Sequence, residues 1–482
     1  MQKPLFDTKV QELKYKVLKS VAKKAFEGNL ESCYYDIPLE IVKGGEATMR
    51  CCIYKERAIV QERVKLAKGG DIENPNVIEV IPIACDECPV SSYTVTMSCR
   101  GCIAHRCASA CPKDAISFDN HKAIIDTDKC IKCGKCAAVC PYSAITETKR
   151  PCEVACKVKA ISSSPEEKWA HIDNEKCIAC GACVYQCPFG AVADKSFILE
   201  AIEIIKKSES NTKYNTYAVV APSIASQYTH MPLGQVVAGI KKLGFKNVVE
   251  AALGADMVAF KESVELKEKG FLTSSCCPAF VSYIEKNFPK LKENISHNLS
   301  PMAEVAKFIK NIDPTSKIVF IGPCTAKKME FQKKSVAPYI DCVITFEEFQ
   351  ALIDSREIDM TVLKEEPLDN ASYYGRIFAR SGGLSDAVVQ AAKEQGLDSD
   401  GFEVKAAVCD GIELCKTALL KANKGVLPEN FIEGMICSGG CIGGAGCMTH
   451  GVKDKNEVDK YGKEALEKTI KDAIRVYQME NN

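Results

Sequence analysis
Read for the spacing of apolar and polar positions, the chain divides into three stretches. Residues 1 to about 80 open with MQKPLFDTKVQELKYKVLKSVAKKAF, a lysine-rich helical pattern. ESCYYDIPLEIV and TMRCCIYKERAIV follow, and their apolar alternation predicts short strands. From Thr216 onward, short apolar runs (TYAVVAPS, KNVVEAA, KIVFIGP, IDCVITF, VKAAVCD, FIEGMIC) alternate with amphipathic helical stretches. That rhythm predicts an α/β domain of mostly parallel strands, with ligand-binding loops at the strand C-termini. Between the two, cysteines replace the regular pattern, and the polar stretch from Lys206 to Asn215 reads as a boundary. The expected divisions are 1–84, an α+β region without an assigned role; 85–195, cysteine modules; and 210–482, the α/β domain.

Composition narrows the classes. The chain has 482 residues, 46% hydrophobic and 26% charged, enough for a sizeable core and several domains. Lys plus Arg balances Asp plus Glu at 63 each, so nothing argues for nucleic acid or an anionic membrane surface. No signal core, twin-arginine pair or long apolar run is present, and a cytoplasmic location is expected. Cysteine stands out with 28 residues, and in a reducing compartment such clusters read as metal ligands before disulfides. Cys33, Cys51 and Cys52 lack ligand spacing and read as ordinary thiols.

CIKCGKC with Cys140-Pro141, and CIACGAC with Cys187-Pro188, have the C-x-x-C-x-x-C-x-x-x-C-P spacing of bacterial ferredoxins. Three close thiolates wrap a 4Fe-4S cube, and the fourth cysteine reaches to the neighbouring cluster. A structural zinc site needs neither the third cysteine nor the trailing Cys-Pro. An internal repeat agrees: Cys111-Pro112 runs into Ala115-Ile116, Cys140-Pro141 into Ala144-Ile145, Cys156 into Ala160-Ile161, and Cys187-Pro188 into Ala191-Val192. Two ferredoxin-like modules result. Crossed ligation gives one cube to Cys99, Cys102, Cys107 and Cys140, a second to Cys130, Cys133, Cys136 and Cys111, and a third to Cys177, Cys180, Cys183 and Cys156. The remaining Cys85, Cys88, Cys152 and Cys187 are a candidate set for a fourth. His105, inside the first run, reads as a surface histidine rather than a ligand. Serial cubes imply electron transfer. At the strand ends of the α/β domain, Cys276/Cys277, Cys324, Cys437 and Cys441 offer thiolates for one more cube.

Three segments, TSSCCPAF, GPCTAKKME and EGMICSGGCIGGAGC, resemble the signature segments of the iron-only (FeFe) hydrogenases. The resemblance runs from about Thr216 to the C-terminus, and the cysteine modules fit that family's electron-relay regions. It implies an α/β catalytic domain of two mostly parallel βα lobes, preceded by α+β ferredoxin-like modules. The implied cofactor is an H-cluster: a 4Fe-4S cube joined to a two-iron subcluster with CO, cyanide and azadithiolate, with three to four accessory 4Fe-4S cubes. Its implied ligands are Cys277, Cys324, Cys437 and Cys441, the last bridging the two parts. By the same resemblance Lys327 donates to a cyanide, and Pro222, Ser223, Ser381, Gly382, Gly383 and Met435 line the pocket. Cys276 exchanges protons with the bridging amine, and Glu262 and Glu265 relay them, with Ser296 between and Glu330 and Lys269 nearby. The chain departs from well-studied members at Gly322, Met302, Phe280, Ala445 and an extra serine in TSSCC. Cys342, Cys409, Cys415 and Cys447 match no ligand role.

The activity implied is reversible oxidation of dihydrogen, with a ferredoxin-like carrier for electrons, dihydrogen and protons as reactants, and maturation enzymes to build the diiron part. Two rivals are a slow-turnover sensory hydrogenase and a non-catalytic iron-sulfur assembly relative.

Overall fold
The computed structural model describes residues 5–89, 92–163 and 167–475. The α/β part contains two parallel sheets. In the four-stranded sheet the order is Asn247–Glu250, Thr216–Val220, Lys317–Gly322, Cys342–Thr345. In the three-stranded sheet Leu272–Thr273 and Ala406–Asp410 flank Phe431–Met435. All six apolar runs expected as strands are strands, each opening at its C-terminal end into a loop or helix. The two sheets form the two βα lobes, and the cysteines follow their strand ends.

The N-terminal stretch differs from expectation. ESCYYDIPLEIV forms two short helices, Leu30–Cys33 and Ile37–Ile41, and IYKERAIVQERVKLA is one helix, Ile53–Ala67. The strand reading fails because the buried positions Glu56, Ile59, Val60, Arg63, Val64 and Ala67 recur at three and four residues, the period of a helix face. Pro38 sits in a first helical turn, where its missing N–H costs nothing. The buried Glu56 carboxylate accepts from the Thr48, Met49 and Arg50 backbone N–H groups and folds the preceding loop over this helix.

The cysteine modules are nested. In the outer one, Ser92–Val95 pairs antiparallel with Ile145–Thr148. In the inner one, Val192–Asp194 pairs antiparallel with Ile78–Val80, a strand lying before Cys85. The inner module therefore begins at residue 78, is interrupted after Cys88, and resumes at Cys152, with the whole outer module inserted between. The strand pairing thus brings the segment of Cys85 and Cys88 to the module that carries Cys152 and Cys156.

One core spans the assumed boundary. Val17, Leu18 and Val21 of helix Lys9–Glu27 and Ile198 and Ile202 of helix Ile198–Lys207 pack in the same cluster as Val219, Ile321, Val343 and Phe349. At the seam lies a buried ion network. Lys14 reaches Asp194 and Glu347 at 2.6 Å each, and Lys328 reaches Asp194 and Glu348 at 2.8 Å each. Burial opposes the charge on Asp194, but the two ammonium groups hold its carboxyl well below the usual range. Three parts of the chain thus share one set of charges. Among the described residues no helix is long and apolar enough to cross a membrane.

Candidate active site and electron relay
All 28 cysteines are free thiols. Among the described residues, no three His, Cys, Asp or Glu side chains gather tightly enough for a single metal ion. A four-iron cube takes its thiolates one per iron and needs them further apart.

The thiols fall into sets that can be followed through their mutual influence. Burial, then neighbouring Cys102 and Cys140, push Cys107 up against opposing backbone N–H groups. Cys111, Cys130, Cys133 and Cys136 line one small cavity. Burial, then Cys180, Cys177, Cys156 and Cys152, push Cys183 well up. Cys152 is raised to about 12 by burial, with Cys187, Cys85 and Cys88 adding. Cys437 is raised by burial, then Cys324, Cys277, Cys180 and Cys441. Crowded thiols in apolar surroundings resist ionisation, and metal coordination is the chemistry that reverses this.

Two of these influences connect sets. Cys152 acts on Cys183, and Cys180 acts on Cys437. Three sets therefore neighbour one another in turn: Cys85, Cys88, Cys152 and Cys187; the set around Cys180; and Cys277, Cys324, Cys437 and Cys441. The last junction is tight, because a Cβ on Gly181 would lie 2.5 Å from Ala445 Cβ and 2.6 Å from Thr325 Oγ1. The Thr325 hydroxyl donates to Ala179 O at 2.7 Å across it.

The repeat in the sequence has a physical cause. Backbone N–H groups of Ala115, Ala144, Ala160 and Ala191 donate to Sγ of Cys111, Cys140, Cys156 and Cys187 at 3.3, 3.4, 3.1 and 3.2 Å. Each alanine is buried, so a small residue brings the backbone against sulfur. His105 is exposed and stacks on Phe118 at 3.7 Å.

In the α/β pocket, Cys277 and Cys324 each precede a helix, Pro278–Asn287 and Thr325–Glu330, while Cys437 and Cys441 follow the strand Phe431–Met435. Lys327 is buried. Its Nζ donates to Glu330 Oε2 at 2.7 Å and to Cys276 O at 3.4 Å. Burial disfavours this ammonium, but Glu330, Cys324 and Cys276 outweigh it and raise its pKa. Glu330 thus partners Lys327 and makes no bond to the carboxylates of helix Ala251–Lys269.

The pocket contains features that fit a bulky anionic group. Ser223 Oγ and Ser381 Oγ are buried without a hydrogen-bond partner, a costly condition unless a ligand meets them. Ser223 follows Pro222 after the strand Thr216–Val220. Gly382 has φ +86°, and a Cβ on Gly383 would lie 1.9 Å from Ile377 O, so only glycine keeps this loop in place. Glu433 holds the loop from below, accepting from Gly382 N at 2.7 Å and Ser385 N at 2.8 Å. Met435 is buried at the end of the same strand as Glu433.

Glu262 and Glu265 lie on helix Ala251–Lys269. Glu265 is near the surface, paired with Lys269 at 2.7 Å and accepting from Ser296 Oγ at 2.9 Å. Burial opposes its charge, but Lys269, the His297 N–H and Ser296 hold it below the usual value. Glu262 is fully buried. Burial pushes it up to about 7, with the Ser275 N–H and the Ser296 hydroxyl opposing and Glu265 adding. Its Oε1 accepts from Ser275 N at 3.3 Å and Oγ at 3.4 Å, and its Oε2 has no partner. Burial, then Glu262 and Cys277, push the Cys276 thiol well above its ordinary value. It stays a neutral donor, in contrast to the ordinary thiol expected from its residue type.

Four contributors were not picked out in the sequence. Ser275, noted only as an extra serine, touches Glu262. Glu433 looked like one more strand residue. Arg150 and Arg63 had no motif at all.

Cysteine modules that lead to cysteines at the strand ends of two parallel sheets define an iron-sulfur protein. Residues 214–445 match the iron-only hydrogenase large subunit, C-terminal domain. Residues 98–144 and 122–188 each match a 4Fe-4S dicluster domain. The periplasmic Fe hydrogenase large subunit of Nitratidesulfovibrio vulgaris is 31% identical over 382 residues, spanning 68% of this chain and 86% of that one. Iron hydrogenase 1 of Clostridium pasteurianum is 28% identical over 404 residues, 72% of this chain and 69% of that one. Cytosolic Fe-S cluster assembly factor NAR1 of Kluyveromyces lactis is 33% identical over 123 residues, 24% of this chain and 26% of that one. The chain belongs to the iron-only hydrogenase family.

Proposed function
We propose that this protein interconverts dihydrogen with protons and electrons, and exchanges the electrons with a ferredoxin-like carrier. The observation that carries this is the series of proton-holding groups between surface and pocket: Lys269, Glu265, Ser296, Glu262, Ser275 and Cys276. A scaffold that only stores or passes on clusters has no need of it. Two neighbouring carboxylates whose pKa values are pushed apart, one to about 7, are suited to passing a proton near neutral pH.

Cys277, Cys324, Cys437 and Cys441 would hold the H-cluster, and Ser223, Ser381 and Lys327 would face its anionic ligands. When bound, that group supplies the iron chemistry for heterolytic splitting or formation of dihydrogen. Cys276, kept neutral, holds a proton beside Cys277. Glu262 exchanges it through Ser275, and Glu265 delivers it to solvent past Lys269. Lys327, its charge compensated by Glu330, offers a fixed cation in a dry site, where its effect is larger than in water.

Four accessory cubes complete the relay in this reading, with Cys85, Cys88, Cys152 and Cys187 holding the fourth. The nested modules support it, since those residues take the positions of three close ligands and one crossed ligand once the insertion is removed. At the far end Met97 and Ile103 are 85% and 99% exposed beside Cys99 and Cys102. Arg100 and Arg106 are exposed in the same loop, a surface suited to a small acidic carrier. A cytoplasmic setting with maturation enzymes belongs to the same proposal.

A non-catalytic assembly role is the second reading, favoured by the 123-residue likeness to the NAR1 factor. Infrared spectroscopy and a dihydrogen assay on anaerobically matured protein separate the two. CO and cyanide stretches with turnover are expected. Absence of both after verified loading of the cubes would refute the enzyme reading.

A further inference from the structure
Arg150 is fully buried and, with Arg376, is among the largest side chains so buried among the described residues. It lies at the junction where the inserted module returns to the inner one, just before Cys152. Its Nε donates to Pro89 O at 3.1 Å and its Nη2 to Cys88 O at 3.4 Å and Lys168 O at 2.8 Å. Its Nη1 donates to Cys85 Sγ at 3.4 Å. Three carbonyls and one sulfur are its partners, and among the described residues no carboxylate forms an ion pair with it.

A second guanidinium repeats the pattern from the other side. Arg63, on helix Ile53–Ala67, is 5% exposed and donates through Nη2 to Gly190 O at 2.8 Å. Gly190 gives it room, since a Cβ there would lie 2.2 Å from Nη2. Its Nε has no partner, and among the described residues no carboxylate pairs with it either. Gly190 N in turn donates to Cys187 O at 3.1 Å, which ties Arg63 to the crossed member of the same cysteine set. Other buried cations in this protein have carboxylates: Lys14, Lys328 and Arg376 all do. Burying a cation without a counter-charge is strongly unfavourable. Two such cations around one thiol set need a common anion.

We infer that Arg150 and Arg63 are the counter-charge of a 4Fe-4S cube on Cys85, Cys88, Cys152 and Cys187, and that they make it the most easily reduced cube of the relay, an electron store next to the active-site side. This rests on the reading that those four cysteines hold a cube. Four thiolates leave an oxidised cube net negative and a reduced one more so, and charge and sulfur hydrogen bonds set its potential. Two fixed positive charges in a low-dielectric site favour the added electron. The step is one electron gained by the cube from the outer module and later passed to the cube of Cys180, with no proton involved. Two-electron chemistry on dihydrogen then has one electron waiting when a one-electron carrier delivers the other. The inference also gives residues 5–89 a role, because Arg63 and Cys85 both come from there.

The test is a potentiometric titration followed by electron paramagnetic resonance, with iron counting, on anaerobically loaded full-length protein. Arg150→Gln and Arg63→Gln should keep the wild-type iron content and should each lower the highest accessory midpoint by at least tenfold in the reduction equilibrium, about 59 mV for one electron. Arg150→Lys, which keeps the charge but loses the fork, should stay within that margin. Unmoved potentials in both glutamine variants overturn the inference. Equal loss of iron in Arg150→Gln and Arg150→Lys, with Arg63→Gln unshifted, assigns Arg150 to clamping the junction and also overturns it. Cys152→Ser checks the underlying reading separately: it should lose one cube of iron, and unchanged iron means there is no fourth cube for the arginines to serve.

Discussion

Glu262 offers a test in which stability and activity move in opposite directions. The carboxyl is completely buried and raised from 4.5 to about 7. Between those values the folded protein binds a proton that the unfolded chain has released, so stability falls as pH rises. The contribution is fully present below 4.5 and is lost as pH rises through about 7. At about 1.4 kcal/mol per unit the loss comes to about 3 kcal/mol. Glu262→Gln keeps the volume and the acceptor for Ser275 but cannot ionise. Near pH 5.5, where the native carboxyl is mostly neutral, the variant should match the wild type to within the cost of its orphaned amide, about 1–3 kcal/mol. Near pH 8.5 its stability relative to the wild type should be higher than at pH 5.5 by about 2 kcal/mol, the part of the loss that falls between 5.5 and about 7.

Turnover should go the other way. Removing a proton-transfer group typically costs 10²–10⁴ in rate, so about 100-fold or more should be lost in viologen-driven dihydrogen production. Denaturant unfolding of the loaded protein at both pH values, beside the rate assay, gives both readouts on one sample. A variant that turns over like the wild type would falsify the relay. One that shows the same pH slope of stability as the wild type would show that Glu262 does not carry the raised pKa. A variant that merely misfolds cannot mimic the expected result, because the prediction is a gain in stability at high pH.

Cys276→Ala should keep iron content and infrared bands yet lose most turnover; unchanged activity would remove the thiol from the path. Lys328→Met leaves Asp194 and Glu348 facing each other with Lys14 as the remaining cation, and breaking such a buried pair should cost about 3–5 kcal/mol in unfolding free energy. A loss under about 1 kcal/mol would mean that the seam network is not fully desolvated. Arg100→Glu with Arg106→Glu should raise KM for an acidic ferredoxin severalfold and leave viologen-driven rates alone, the ferredoxin effect fading with added salt. Equal KM values at low salt would place carrier docking elsewhere.

How much of this was legible depends on range. The strands from Thr216 onward could be read because each is a short apolar run followed directly by a loop, and the cysteine spacing is a local constraint. Helix Ile53–Ala67 was misread as a strand because the first residues of IYKERAIV mimic alternation. Its true period appears only when Arg63 and Glu56 are counted among buried positions, and buried charges are invisible to a hydrophobic pattern. Nesting of the modules escaped for a related reason. Strand Ile78–Val80 pairs with residues more than a hundred positions away, which no local pattern encodes. The Cys-to-alanine repeat was visible, while its cause, an N–H to sulfur bond four residues on, needed coordinates. Arg150 carried no signal, because an arginine beside Pro-Cys is ordinary until its partners, three carbonyls and one sulfur among the described residues, are seen.

The residues packed around the cysteines also belong together. A Cβ on Gly322 would already lie 2.4 Å from the ring of Phe320. The space is thus taken by a side chain from two residues earlier on the same strand. Phe280, fully buried, packs against Gly434 so closely that a Cβ on the glycine would lie 2.2 Å from its ring. Ser275 donates through its backbone N–H to Glu262 at 3.3 Å and through its hydroxyl to Asn298 O at 2.8 Å, so this loop is fixed on both sides. Close packing makes larger residues at Gly322 and Gly434 unfavourable, since each meets a ring that already fills the space. On the proposed proton path, this wall acts on the chemistry through the positions of Cys276 and Glu262, which Ser275 ties together, one by chain adjacency and the other by a hydrogen bond.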